Sequence, residues 1–212
     1  MITSVDEALP MFCAGPADFL RDPILEKPLL SPDGQHVLAT DRKIVFRCAI
    51  ADVTLPYADR PELCGIARLL AACIEEANLC ATDGLADLPE IPPAVDCGAC
   101  HGTGKTYRCP DCVDGEFWHG KHEYTCRTCD GTGVVDADLA SRDDDALICD
   151  VCNGSGHWRD QPVEIGCAAI SRRFLAAIAQ LPGARIANPV TATAPVYFDS
   201  DLGDGCVMPL RD

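Results

Sequence analysis

Two cysteines three apart, followed by two glycines two apart, occupy residues 97–104 as CGACHGTG. The arrangement returns as CRTCDGTG from Cys126 to Gly133 and as CDVCNGSG from Cys149 to Gly156, with a looser copy, CPDCVDGE, from Cys109 to Glu116. Four such pairs constrain the fold more than anything else in the chain. The block that holds them has few large apolar residues, so it cannot close around a hydrophobic core and must be ordered by something else. Zinc takes four tetrahedral ligands, with sulfur at about 2.3 Å. A CxxC turn brings two sulfurs to one point and aims backbone N–H groups at the thiolates. Glycine after the second cysteine permits positive φ and a close return of the chain. Eight cysteines make two Cys₄ sites, hence two structural zinc ions. Spacing alone permits nested or sequential pairing of the repeats.

The first ten residues, MITSVDEALP, carry acids and no basic n-region, so no secretory signal is expected. No run of about 18 uncharged apolar residues exists to span a membrane. Fifteen cysteines without a signal then point to a reducing, cytoplasmic setting, where paired cysteines hold metal more often than they form disulfides. The other seven (Cys13, Cys48, Cys64, Cys73, Cys80, Cys167, Cys206) show no ligand spacing and are expected to be small buried hydrophobes. Net charge is −16, divided as −8 over residues 1–95, −7 over 96–157 and −1 over 158–212. A broad basic surface for duplex DNA is absent, which makes nucleic acid a disfavoured partner.

The segments flanking the cysteines predict an α+β domain interrupted by the cysteine-rich module: residues 1–95, then 96–157, then 158–212. HVLAT and KIVFRCAI read as strands joined at Asp41 and Arg42, with a turn at 32–34 and a short helix over 17–25. Residues 61–77 read as a helix with Leu63, Ile66, Leu70, Cys73, Ile74 and Ala77 along one stripe and Pro61 near its start. Residues 81–95, rich in Pro, Asp and Gly, read as a linker. After the module, WRDQPVEIG predicts a strand and SRRFLAAIAQL a helix capped by Ser171 and stopped by Pro182 and Gly183. ARIAN, APVYFDS and GCVMPL predict three more strands, giving β-α-β-β-β.

The four repeats resemble the cysteine-rich zinc module of DnaJ-type co-chaperones. That resemblance implies a hairpin-like fold in which Cys97, Cys100, Cys149 and Cys152 share one zinc and Cys109, Cys112, Cys126 and Cys129 share the other. The second repeat departs from the pattern, with Asp114 at the first glycine position and Glu116 at the last. No J-domain signature accompanies the module. Val207, Met208, Pro209 and Arg211 resemble the C-terminus of bacterial DNA polymerase sliding clamps, Ala39, Thr40 and Asp41 match a stretch upstream, and the 170–186 segment is similar to the clamp's last helix and strand. This second resemblance implies clamp-like β-α-β-β-β halves and a peptide-binding cleft at Met208, Pro209 and Leu210. The layout is also similar to phage and prophage proteins that carry zinc knuckles.

Other signals carry less. HGTGKT at 101–106 imitates a phosphate-binding loop, but Ala99 stands where that motif needs glycine. His119 and His122 are expected to be exposed polar residues. Phe117, Trp118, Tyr124 and Trp158 are expected to pack over the knuckles, with a contact surface as the alternative. Asp143 to Asp145 read as a solvated loop. No catalytic constellation is recognisable, so the expectation is a non-enzymatic protein acting by protein–protein contact, as a factor of phage-type replication or host interaction. Two alternatives stand beside it: chaperone-like binding of unfolded chains through the module, and an acidic mimic of DNA that blocks a DNA-binding enzyme.

Overall fold

Ser4 opens the first helix. Its Oγ accepts the Glu7 N–H at 3.3 Å, while the Glu7 carboxylate accepts the Thr3 N–H at 2.8 Å. This reciprocal cap starts α1 (Val5–Phe12). In chain order there follow β1 (Leu29–Leu30), β2 (His36–Thr40), β3 (Ile44–Ala49), α2 (Cys64–Leu79), β4 (Ala81–Asp87), β5 (Lys105–Arg108), β6 (Glu116–His119), β7 (His122–Thr125), β8 (Val134–Val135) and β9 (Leu147–Ile148). The last elements are β10 (Pro162–Ile165), β11 (Ala168–Ser171), α3 (Arg172–Ile178), β12 (Arg185–Pro189), β13 (Val196–Ser200) and β14 (Gly203–Val207). The computed structural model describes residues 2–14, 25–58, 63–119, 122–136 and 146–211, the side chains of residues 82, 83 and 119 aside. The predicted helix over 17–25 (all but its last residue), Pro61 and the acidic run at 143–145 lie outside the described residues.

Two units divide the chain: Met1–Pro92 together with Asp160–Asp212, and Pro93–Arg159. The first is built on a seven-stranded sheet of order β1-β2-β3-β14-β13-β12-β4, in which every pairing is antiparallel. Both of its faces are covered, which is why HVLAT and IVF read as continuous apolar runs rather than alternating ones. Val37, Ala39, Ile44, Phe46, Val196, Phe198 and Val207 join α1 and α3 in one core. Leu38, Val45 and Cys206 point the other way, onto Ala67, Ile74 and Ala77 of α2. Successive strand residues thus alternate between the two layers, as the pleat requires. The unit is a mixed, strand-rich α+β structure.

The β2–β3 turn explains Ala39, Thr40 and Asp41 locally. Thr40 Oγ1 donates to the Ile44 carbonyl at 2.7 Å, and Asp41 Oδ1 accepts the N–H groups of Lys43 and Ile44 at 2.9 and 3.0 Å. Arg42 takes the left-handed conformation between them, φ 79°. Asp41 also pairs with Arg173 at the start of α3, at 3.3 Å.

Several expectations need correction. Residues 81–87 are a strand, not a linker: β4 pairs with β12 at the sheet edge, matching Asp87 to Arg185 and Ala86 to Ile186. Edge strands tolerate short polar sequences of this kind. The C-terminal part gains β11, which forms a hairpin with β10 before α3, and Ser171 occupies the N-cap position without a side-chain capping bond. On α2, Ile66 is exposed and Ala67 takes its place in the stripe. Of the seven remaining cysteines only Cys48 and Cys206 are buried, and Cys167 is exposed. No helix among the described residues is long and apolar enough to cross a membrane.

Candidate metal centre

Among the described residues the cysteine-rich unit has no large apolar core; its buried clusters are the cysteines themselves, joined in one case by Val135. Its backbone frame is slight. β5 pairs with β9 through Lys105↔Ile148 and Thr106↔Leu147, and with β8 through Tyr107↔Val135 and Arg108↔Val134. β6 and β7 form a separate hairpin.

The sulfurs of Cys97, Cys100, Cys149 and Cys152 lie within 4.8 Å of one another, and so do those of Cys109, Cys112, Cys126 and Cys129. The first and fourth repeats therefore share one outer site, and the second and third share an inner one. Cross-repeat sulfur separations are 4.0 Å for Cys97–Cys149 and 3.7 Å for Cys100–Cys152 in the outer set, and 3.8 Å for Cys109–Cys126 and 3.6 Å for Cys112–Cys129 in the inner set. A tetrahedron of metal–sulfur bonds of about 2.3 Å has edges of ~3.8 Å, whereas a disulfide needs about 2.05 Å. These are metal-sized thiol sets, and all eight cysteines are free thiols.

Backbone hydrogen bonds repeat the same pairing reciprocally. Cys97 N–H donates to Gly156 O at 2.8 Å and Cys149 N–H to Gly104 O at 3.0 Å. In the inner pair Cys109 N–H donates to Gly133 O at 2.9 Å and Cys126 N–H to Gly115 O at 2.8 Å. In three repeats the last glycine also donates its N–H to the second cysteine sulfur, at 3.3 Å each: Gly104 to Cys100, Gly133 to Cys129 and Gly156 to Cys152. Such donors stabilise thiolate charge and orient it.

Gly104 shows why glycine is required. It sits at φ 70°, and a Cβ there would collide with the Gly154 carbonyl of the partner repeat. Gly104→Ala is therefore expected to loosen the outer site's hold on metal about tenfold or more, because the left-handed strain alone is roughly 1–2 kcal/mol. Chelator competition followed site by site checks this; an unchanged outer site would contradict it.

The second repeat solves its missing glycines differently. Asp114 (φ 51°) and Gly115 (φ 92°) form a two-residue turn, closed by Val113 N–H to Glu116 O and Glu116 N–H to Val113 O, each 3.0 Å. Asp-Gly at positive φ is a hairpin turn. Here it carries the chain from the inner site into β6, and the Gly115 N–H opposes, without overcoming, the burial that raises the Cys112 thiol. The Asp-Gly dipeptide was the sequence signal that could have revealed this turn.

Burial pushes Cys149 and Cys112 up to about 12. Burial also opposes ionisation of Cys152 and Cys129, yet the N–H groups of Gly156 and Gly133 and the neighbouring thiols bring these two down to about 7. Four sulfurs this close ionise together only around a cation. Both sets are closed four-sulfur arrangements, and soft thiolates in this geometry suit zinc. The outer set is the more enclosed: its cysteines are 0–2% exposed, whereas Cys112 of the inner set is half-buried.

The remaining candidates fall elsewhere. His122 is exposed, and the His119 side chain lies outside the described residues. Met208, Pro209 and Leu210 follow β14 in the other unit: Met208 N–H donates to Lys43 O and Leu210 N–H to Ala169 O, each at 2.7 Å, and Pro209 is buried. Packing of the aromatic residues over the knuckles is overturned. Phe117 is 40% exposed, Trp118 67%, Tyr124 46% and Trp158 52%.

The geometry defines two nested tetracysteine sets, each of which could hold a metal ion. No known protein family, no curated protein and no solved structure matches the chain.

Proposed function

We propose that this chain is a non-enzymatic, cytoplasmic zinc protein that works by protein–protein contact through the surface of its cysteine-rich unit. Zinc at both sites is structural, holding a small unit rigid enough to display side chains. The nested sulfur sets are the pairing that the DnaJ-type resemblance implies, and they support reading the unit as a module of that type. The observation that carries the functional reading is the exposure of Phe117 and Trp118 on β6 and Tyr124 on β7. Exposed aromatic side chains on a rigid support are the usual anchors of protein interfaces. The sliding-clamp resemblance adds a second contact at the chain end, through the half-buried Met208 and Leu210 and the buried Pro209.

The test is in-cell crosslinking with the zinc-loaded chain and its Phe117→Ala/Trp118→Ala variant. A discrete set of protein partners that the variant loses supports the reading. The same partners on both chains would defeat it. A broad spread of unfolded clients, with suppression of their aggregation, would instead favour chaperone-like binding by the same apolar surface. A DNA-binding partner displaced by added DNA would favour the acidic mimic.

A further inference from the structure

Register divides the β6–β7 hairpin into two unlike faces. Phe117 pairs with Tyr124, their rings stacked at 5.7 Å, and His122 lies edge-on to Tyr124 at 6.4 Å. Trp118 pairs with Glu123, and Glu116 with Thr125. Alternation therefore puts Trp118, Glu116 and Glu123 on the opposite face from Phe117 and Tyr124. An indole is thus flanked by two carboxylates. Beside it opens a cleft of about 550 Å³ lined by Pro110, Asp111, Val113, Asp114 and Glu116, together with Cys112, Phe117 and Trp118. Among the described residues, no Lys or Arg lines it.

Among the described residues, the lining supplies the like charges with no counter-cation. Glu116 beside it holds the Glu123 carboxyl above its ordinary value, the mark of two acids crowded together. Val113 is 77% exposed at the rim. The surface therefore offers an aromatic plane, several carboxylates and an apolar edge together.

We propose that this cleft docks an arginine-containing extended segment of the partner protein, its guanidinium stacked on Trp118 between Glu116 and Glu123 and a neighbouring apolar side chain laid against Val113. Charge complementarity selects the occupant. Arginine stacks on aromatic planes and bonds carboxylates in a fork, which lysine cannot do. The inference rests on the protein-contact reading above and names the chemistry of its partner.

The probe is a short peptide of alternating leucine and arginine, titrated into the zinc-loaded full chain carrying Trp158→Phe, which leaves Trp118 as the only tryptophan. The expected result is a saturable change in Trp118 fluorescence that weakens as salt rises. A leucine–lysine peptide is expected to bind several-fold more weakly, and a leucine–glutamate peptide not at all. Glu116→Gln/Glu123→Gln should weaken the arginine peptide about tenfold, the loss of roughly 1.4 kcal/mol, while two metal equivalents per chain show that the variant is folded. Absence of saturable binding, equal binding of the glutamate peptide, or indifference to the glutamine pair would overturn the proposal. If the alanine variant loses its cellular partner yet the arginine peptide does not bind, this proposal fails and the protein-contact reading survives. If the peptide binds but the alanine variant keeps every cellular partner, the protein-contact reading fails instead, and this proposal falls with it because no partner segment occupies the cleft.

Discussion

Cys97→Ser is expected to leave the chain with one firmly held metal instead of two. The loss should be confined to the outer site, because the inner site draws no sulfur from the first or fourth repeat. A structural zinc site contributes on the order of 10–16 kcal/mol of coupled binding and folding, so in this unit only the other ligand cysteines should have a comparable effect. Alkylation mapped by mass spectrometry gives the sharper readout. Cys100, Cys149 and Cys152 should become reactive together while Cys109, Cys112, Cys126 and Cys129 stay protected by their metal. Reactivity appearing at Cys109 and Cys112 would mean that neighbouring repeats share sites. The outer backbone should loosen too, since Cys97 N–H to Gly156 O and Cys149 N–H to Gly104 O tie its two repeats together.

The second large effect belongs to the sheet unit. Phe46 is fully buried, 4.9 Å from the Phe12 ring and 6.5 Å from that of Phe198. Phe46→Ala is expected to cost about 3–5 kcal/mol, a large share of the 5–15 kcal/mol that holds a typical domain together. It removes the ring joining α1 to the central strands. Calorimetry should show the sheet unit melting roughly 10 °C lower, at 2–4 °C per kcal/mol for a unit of this size. Phe46→Leu should recover much of the loss. A shift of only a degree or two would mean that the core is not organised around these rings.

The cysteine sites were legible because metal ligation leaves a rigid mark on sequence: two sulfurs per turn, then glycines at fixed offsets. Spacing left nested and sequential pairing open, because each CxxC supplies the same half-site whatever its mate; the reciprocal bonds between repeats, such as Cys97 to Gly156, distinguish them. The departure in the second repeat was visible, but its consequence was not, since the Asp114-Gly115 turn serves the β6–β7 hairpin as well as the site. The sheet was legible where both faces are buried, as in β2 and β3. It was misread where tertiary pairing overrides composition: β4 carries Asp83, Gly84 and Asp87 and still completes the sheet edge on β12. α1 escaped notice because Pro10 lies inside it, although Ser4 and Glu7 already spelled its cap. The exposed aromatics were misplaced by the ordinary preference of large rings for interiors. A unit whose buried clusters are mostly cysteines has little interior to offer them.

Metal, rather than apolar burial, is proposed to order residues 93–159. Amide hydrogen exchange on the full chain, before and after metal removal by a thiol-compatible chelator, tests this most directly. The account predicts that the amides of Cys97, Gly104, Cys109, Cys126, Gly133, Cys149 and Gly156 lose protection together on metal removal and regain it with two equivalents of zinc, while the β2, β3, β13 and β14 amides stay protected throughout. Protection across residues 93–159 that survives complete metal removal would contradict it.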